Sequence, residues 1–249
     1  MPIAHENLAI AVDDEQIAAT LITDQPRKVA GLLFVHGWGA SKEENLAEAT
    51  SAAQLGCACL IFDLRGHALT AHLQKTVSRE QNLRDVIAAY DTLVSRGQLD
   101  AAHLGIVGVS YGGYLAAIAT LERPTSQLAL RAPAIYRDAD WHRSKLRLHD
   151  DPELLVYRRR TVPPSDNRAL RACAAFRGDV LMVESEHDTI VPAPVIKSYL
   201  GAFTRAHSIS HRIISDADHG LTEERHRCGY KELLMSWIRD TMIGSTEEN

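Results

Sequence analysis

Ser110 lies between glycines in the run Gly108-Val109-Ser110-Tyr111-Gly112, with a further glycine at Gly113. An apolar, β-prone run, Leu104-Gly105-Ile106-Val107, precedes it, and a small-residue helical run, Tyr114-Leu115-Ala116-Ala117-Ile118-Ala119, follows. A serine at so tight a strand-to-helix switch is held in a strained backbone conformation, and its surroundings leave almost no room for side chains. Its hydroxyl is presented at a helix N-terminus, where backbone N–H groups and the helix dipole favour developing negative charge. A hydroxyl is a weak nucleophile at neutral pH and needs a base. His219, in Asp216-Ala217-Asp218-His219-Gly220, can take the serine proton and return it to a leaving group, because imidazole titrates near neutral pH. The imidazole in turn needs an acceptor to fix its tautomer, and Asp188, in Glu186-His187-Asp188-Thr189-Ile190-Val191-Pro192, can supply one. The chemistry such a trio performs is acyl transfer through attack by the serine oxygen.

Taken singly, each residue has a plainer role. A histidine in an Asp-rich loop is ordinarily solvated or capping, and an aspartate before Thr-Ile-Val-Pro is ordinarily a helix-approach residue. The order Ser, Asp, His and the position of each just past a strand argue for the joint role. Glu184, Glu186, Asp216 and Asp218 are rivals for the acid. Glu184 falls inside a strand, Glu186 two positions short, and Asp216 and Asp218 too close to His219 in sequence to orient its far nitrogen. An oxyanion needs two N–H donors. The Tyr111 backbone N–H, directly after the serine, is one. The turn His36-Gly37-Trp38-Gly39 offers the other, at Trp38, whose ring would also wall the pocket, although a Gly-rich turn can be only a turn. His36 and His67 are expected to brace loops by hydrogen bonds.

Elements must bring these turns together. Alternation in Leu8 to Val12 and Ile17 to Thr23 predicts an N-terminal hairpin, and Val29 to Val35 is a continuous apolar strand. Further strands are predicted at Ala58 to Phe62, before Ser110, at Gln127 to Leu130, Val180 to Glu184 and Ser208 to Ser215. Helices are predicted from about Lys42 to Leu55, Arg79 to Ser95, Tyr114 to Ala119, Ala193 to Gly201 and Thr222 to Met242, with Ser78 and Gln81 as a capping box. Strands alternating with helices imply an α/β fold, a doubly wound and mostly parallel sheet with helices on both faces. Ligands in such sheets bind at the carboxyl ends of the strands, so the turns after Val35, Phe62, Val107, Glu184 and Ser215 should converge.

With 249 residues, 45% of them apolar and 24% charged, the chain suits one α/β domain spanning residues 1–249. A formal charge of −5 and a pI near 6.2 argue against nucleic acid or an anionic membrane as the main partner. The N-terminal Met1-Pro2-Ile3-Ala4-His5-Glu6-Asn7 lacks the pattern of a signal peptide, and a cytoplasmic location is expected. Cys57, Cys59, Cys173 and Cys228 form no C-x-x-C pair and are expected to be buried, reduced thiols. Twelve histidines include no zinc-type spacing, so no metal is expected, and acyl transfer by a serine needs no organic cofactor.

His36-Gly37-Trp38-Gly39, Asp63-Leu64-Arg65-Gly66-His67, Gly108 to Gly113, Asp188 to Pro192 and Asp218-His219-Gly220 stand in the order found in α/β-hydrolases, which the chain resembles over nearly its full length. Within that superfamily it is similar to small feruloyl-esterase-like and dienelactone-hydrolase-like carboxylesterases. Ser110-Tyr111-Gly112-Gly113-Tyr114 also resembles the catalytic domain of prolyl-oligopeptidase-type peptidases. Two departures matter. The family's Arg-Gly-His-Gly-x-Ser loop continues here as Ala68-Leu69-Thr70, and a dienelactone hydrolase proper has cysteine where Ser110 stands.

The resemblance implies a serine hydrolase acting on a small-molecule ester. Alternatives are a peptidase or amidase, a thioesterase, or a non-catalytic binder on the same scaffold. It also implies a small cap over the site at about residues 133–164. Tyr136, Trp141 and Tyr157 are candidates there to line a substrate pocket, though a solvated excursion with packed aromatics fits the same sequence. From Arg131 to Arg160, eight Lys or Arg stand against five acids, a basic stretch in an acidic chain. Oligomeric state is not legible in the sequence.

Overall fold

The computed structural model describes residues 3–24, 29–96, 99–148 and 151–243. Strands β1 (Ala4–Val12) and β2 (Glu15–Thr23) form the expected hairpin, in register from Ala4 opposite Thr23 to Val12 opposite Glu15. Six more strands follow: β3 (Val29–Val35), β4 (Ala58–Phe62), β5 (Leu99–Val109), β6 (Gln127–Arg131), β7 (Asp179–Ser185) and β8 (Ser208–Ile214). The sheet order is β1-β2-β4-β3-β5-β6-β7-β8, with β2 antiparallel to β4 and every pair from β4 to β8 parallel.

The continuous apolar strands are buried on both faces, and their alternating side chains feed two cores. Leu33, Val35, Leu60 and Phe62 point into one, together with helices α2 (Arg79–Arg96), α3 (Tyr111–Ala119), α5 (Arg168–Ala175) and α6 (Ala193–Ala202). Leu32, Phe34, Cys59 and Ile61 point into the other, with α1 (Leu46–Gln54) and α7 (Glu224–Ile238). Helices on both faces of a mostly parallel sheet make this a doubly wound α/β fold.

Four local readings need correction. The helix expected from Lys42 opens as a 3-10 turn, Lys42–Asn45, before α1. Helix α3 begins at Tyr111, three residues earlier than expected, because the chain turns on Ser110 alone. The stretch between β6 and β7 holds two helices the pattern did not reveal, α4 (Pro152–Arg158) and α5. Finally, Cys228 is exposed, whereas Cys57, Cys59 and Cys173 are buried. The Ser78–Gln81 capping box forms in both directions, Gln81 N to Ser78 Oγ at 3.2 Å and Ser78 N to Gln81 Oε1 at 2.9 Å. Among the described residues no helix is long and apolar enough to cross a membrane.

Candidate active site

Strand β5 ends at Val109 and α3 starts at Tyr111, so Ser110 makes the whole turn, with φ 51° and ψ −113°. That conformation is costly for a residue with a Cβ. The turn closes only because its neighbours lack side chains. A Cβ on Gly108 would lie 2.7 Å from the Gly112 carbonyl oxygen, and one on Gly112 would lie 2.2 Å from the Val35 oxygen. The end of β6 pins the turn from the side: Ser110 N donates to Arg131 O at 2.9 Å, and Ala134 N donates to Ser110 O at 2.9 Å.

The ends of β7 and β8 deliver the partners. His219 Nε2 lies 3.0 Å from Ser110 Oγ, and His219 Nδ1 lies 2.7 Å from Asp188 Oδ2. The other Asp188 oxygen accepts the backbone N–H groups of Ile190 (2.8 Å) and Val191 (2.7 Å), which fixes the carboxylate plane. With Nδ1–H held by Asp188, Nε2 is the acceptor and faces the serine hydroxyl. The rival acids are engaged elsewhere: Glu186 accepts from Asp216 N, Asp218 from Thr222 N, and Glu184 meets His211. Sequence reasoning missed Arg131 as a brace. Its Nη1 donates to the His219 carbonyl at 2.7 Å, and its guanidinium lies 5.5 Å from the Tyr230 ring centroid. A strand-end arginine preceding the excursion was the available signal.

The turn after β3 lies against the serine, since a Cβ on Gly37 would sit 3.7 Å from Ser110 Cβ. Among the described residues no acceptor takes the backbone N–H of Trp38 or of Tyr111. His36 and His67 hold this turn to the one after β4. His36 Nε2 accepts Leu64 N at 3.0 Å while Nδ1 donates to Gly37 O at 2.7 Å, and His67 Nε2 accepts Gly39 N at 3.0 Å. Burial pulls the His36 pKa down to about 4 and lowers that of His67. Both rings are thus kept neutral, as their acceptor nitrogens require. Ala68, where the loop departs from the family pattern, sits at φ 45° and opens a 3-10 turn, with Thr70 Oγ1 accepting Gly66 N and donating to His67 O.

Beneath lies a network that the sequence did not disclose. The Tyr111 hydroxyl donates to Asn82 Oδ1 (2.9 Å), and Asn82 Nδ2 donates to Asp85 Oδ2 (3.0 Å). Asp85 pairs with Arg65, whose guanidinium also reaches Asp13 in the β1–β2 turn. A residue next to the serine is thereby tied to the hairpin at the far edge of the sheet.

A pocket of about 170 Å³ opens at Ser110 and His219. Its walls include Trp38, Tyr136, Lys145, Leu154, Arg158 and Ile190, so the excursion between β6 and α5 supplies part of the wall beside the serine. Trp38 and Tyr136 are therefore at the pocket, as two of the aromatic candidates. Trp141 and Tyr157 are not. Trp141 packs under the Arg168 guanidinium, 3.7 Å from its ring centroid, and the Tyr157 hydroxyl accepts Asn167 Nδ2 at 3.2 Å, so both are spent on holding the excursion together. Lys145 and Arg158, both from the basic stretch, line the pocket as well. Glu186, His187 and Asp216 bring potential ligand atoms within 4.8 Å of one another, but all three are exposed and outside the pocket.

The arrangement can pass a proton from Ser110 to His219. Solved structures share the fold. The dienelactone hydrolase from Anabaena variabilis is 20% identical, with a TM-score of 0.65 over 96% of this chain and 99% of that one. Est1E from Butyrivibrio proteoclasticus, solved with ferulic acid, is 18% identical, with a TM-score of 0.72 over 94% and 98%. The acylaminoacyl peptidase from Pyrococcus horikoshii is 16% identical, with a TM-score of 0.71 over 96% of this chain but 42% of that one. No curated protein sequence matches the chain. The profile of the prolyl oligopeptidase family matches residues 44–244, a stretch that contains the serine turn, Asp188 and His219. With that match over most of its length, the chain belongs to the prolyl oligopeptidase family, a hydrolase family of α/β-hydrolase fold.

Proposed function

We propose that the protein hydrolyses carboxylic esters of small acids through an acyl-enzyme on Ser110. The observation that carries the reading is the continuous Asp188–His219–Ser110 hydrogen-bond chain at 2.7 and 3.0 Å. In the proposed reaction His219 Nε2 takes the Ser110 proton as Oγ bonds to the carbonyl carbon. The oxyanion is held by the Trp38 and Tyr111 N–H groups, and collapse expels the alcohol, which leaves with the proton from His219. Water then repeats the cycle on the acyl-enzyme, with His219 as base, and releases the acid. Asp188 holds the imidazole in its tautomer and stabilises the imidazolium.

A space of about 170 Å³, close to the ~150 Å³ cavity that accommodates benzene, has room for a short acyl group and so supports the reading. A fluorophosphonate probe should label Ser110, and a series of p-nitrophenyl esters should be cleaved best at short acyl lengths, ahead of aminoacyl anilides. Ser110→Ala should lower turnover by at least about a thousandfold while leaving the fold intact. Retention of more than a few per cent of turnover would overturn the assignment, and better cleavage of the anilides would make the enzyme a peptidase.

A further inference from the structure

We propose that the pocket at Ser110 selects esters whose acid portion carries a second, free carboxylate, bound by Lys145 and Arg158. The inference rests on the ester-hydrolase reading and deepens it. Lys145 is held in place by its backbone, whose N–H donates to Val77 O at 2.9 Å, and the residue is only 4% exposed. Its ammonium lies 4.4 Å from the Trp38 ring centroid and 5.3 Å from those of Tyr111 and Tyr136. Arg158, from α4, lies 4.9 Å from the Tyr136 ring centroid and donates through Nε to Ile135 O. Both side chains line the pocket that contains Ser110 and His219.

Neither cation has a described carboxylate within salt-bridge distance, although acids are near in sequence. Those acids are taken: Asp138 by Arg168 and Arg171, Asp140 by Arg137 and Arg143, Asp151 and Glu153 by Arg137. Behind the pocket wall Arg79 is fully buried, 5.2 Å from the same Tyr136 ring, and its Nε and Nη2 have no partner. The Tyr136 side chain is a hydrogen-bond partner of both Lys145 and Arg158, and burial lowers the Lys145 pKa, because an ammonium or guanidinium buried without a counter-charge is expensive. The electrostatic consequence is visible at Tyr136. Complete burial raises a phenol pKa, yet Lys145, Arg158 and Arg79 together outweigh it and leave the hydroxyl below its ordinary value. The pocket therefore favours negative charge. Its volume leaves room for an acyl chain of only a few carbons with the carboxylate at its end, and an arginine fork beside a lysine matches that group.

The test compares monoethyl succinate with ethyl 4-methylpentanoate, in which an isopropyl group replaces the carboxylate, by pH-stat. Wild-type kcat/KM should favour the succinate ester by about tenfold or more, the scale of a hydrogen bond to a charged group. Lys145→Met and Arg158→Met should each lower the anionic-to-neutral ratio by about fivefold or more. Succinate should also slow fluorophosphonate labelling of wild-type Ser110, where butyramide does not. Labelling reports whether each variant keeps its site, and Arg158→Met, at a half-buried position, carries the comparison if Lys145→Met fails to fold. A wild-type ratio of one or below, or a ratio unchanged in a labelled variant, overturns the proposal while the ester-hydrolase reading stands. Absence of labelling in the wild type overturns that reading itself.

Discussion

Asp188 uses its two oxygens for different purposes. Oδ2 meets His219, while Oδ1 is saturated by the Ile190 and Val191 N–H groups, so the carboxylate cannot rotate away from the imidazole. Asp188→Asn keeps the shape but puts an amide where a pure acceptor is needed. If its NH₂ faces His219, the ring must adopt the tautomer that points Nε2–H at the serine. Turnover should fall on the order of 10³- to 10⁴-fold in steady-state ester hydrolysis, while Glu186→Gln and Asp218→Asn stay within about tenfold of wild type. A near-normal Asp188→Asn beside an inactive control variant would move the acid to that control position. At this scale the trio was legible because each member sits at a predictable strand end. Lys145 was not: its burial depends on how an irregular segment folds back over Trp38, which no periodicity encodes.

The turns after β3 and β4 work as one unit because His36 and His67 each accept a backbone N–H from the opposite loop or its flank. Protonating His36 at Nε2 would break its bond to Leu64. Its pKa is held at about 4 by burial, against about 6.5 when unfolded. Between those values the unfolded chain binds the proton and the native state does not, so stability falls as pH drops from about 6.5 to about 4. The total is on the order of 3 kcal/mol. Urea unfolding at a series of pH values should show this slope, and His36→Gln, which retains an acceptor but does not titrate in the window, should flatten it. An equal slope in the variant would exclude His36 as its source. Long elements were readable from their patterns, whereas α4 and α5, of seven and eight residues, are too short to show a clear period. Their signals were present as caps: Asp151 before Pro152, with its side chain accepting Glu153 N, and Asn167 accepting Ala169 N and Leu170 N. Apolar residues at Ala169, Leu170, Ala172 and Cys173 give α5 a helical stripe that a search for strands passes over.

Across the whole molecule, the parallel order from β4 to β8 brings the turns after β3, β5, β7 and β8 to one edge, where residues 36–39, 110, 188 and 219 meet. Doubly buried strands made the parallel, doubly wound class readable from their continuous apolar runs, whereas the order of the strands has no signal in those runs. Right-handed crossovers together with the strand order set the sheet face on which each connecting helix packs. The backbone at Ser110 has a consequence for the folded state as a unit. At φ 51° and ψ −113° the serine Cβ is the source of the strain, and glycine adopts these angles freely. Ser110→Gly should therefore be inactive and yet melt higher by roughly 2–4 °C, about 1 kcal/mol at this chain length, in a scanning calorimeter. A melting point below wild type would mean that the surrounding hydrogen bonds have relieved the strain. Selected for endurance in heat alone, a lineage of this protein would drift away from serine at position 110; under the proposed function, catalysis is the force that opposes that drift.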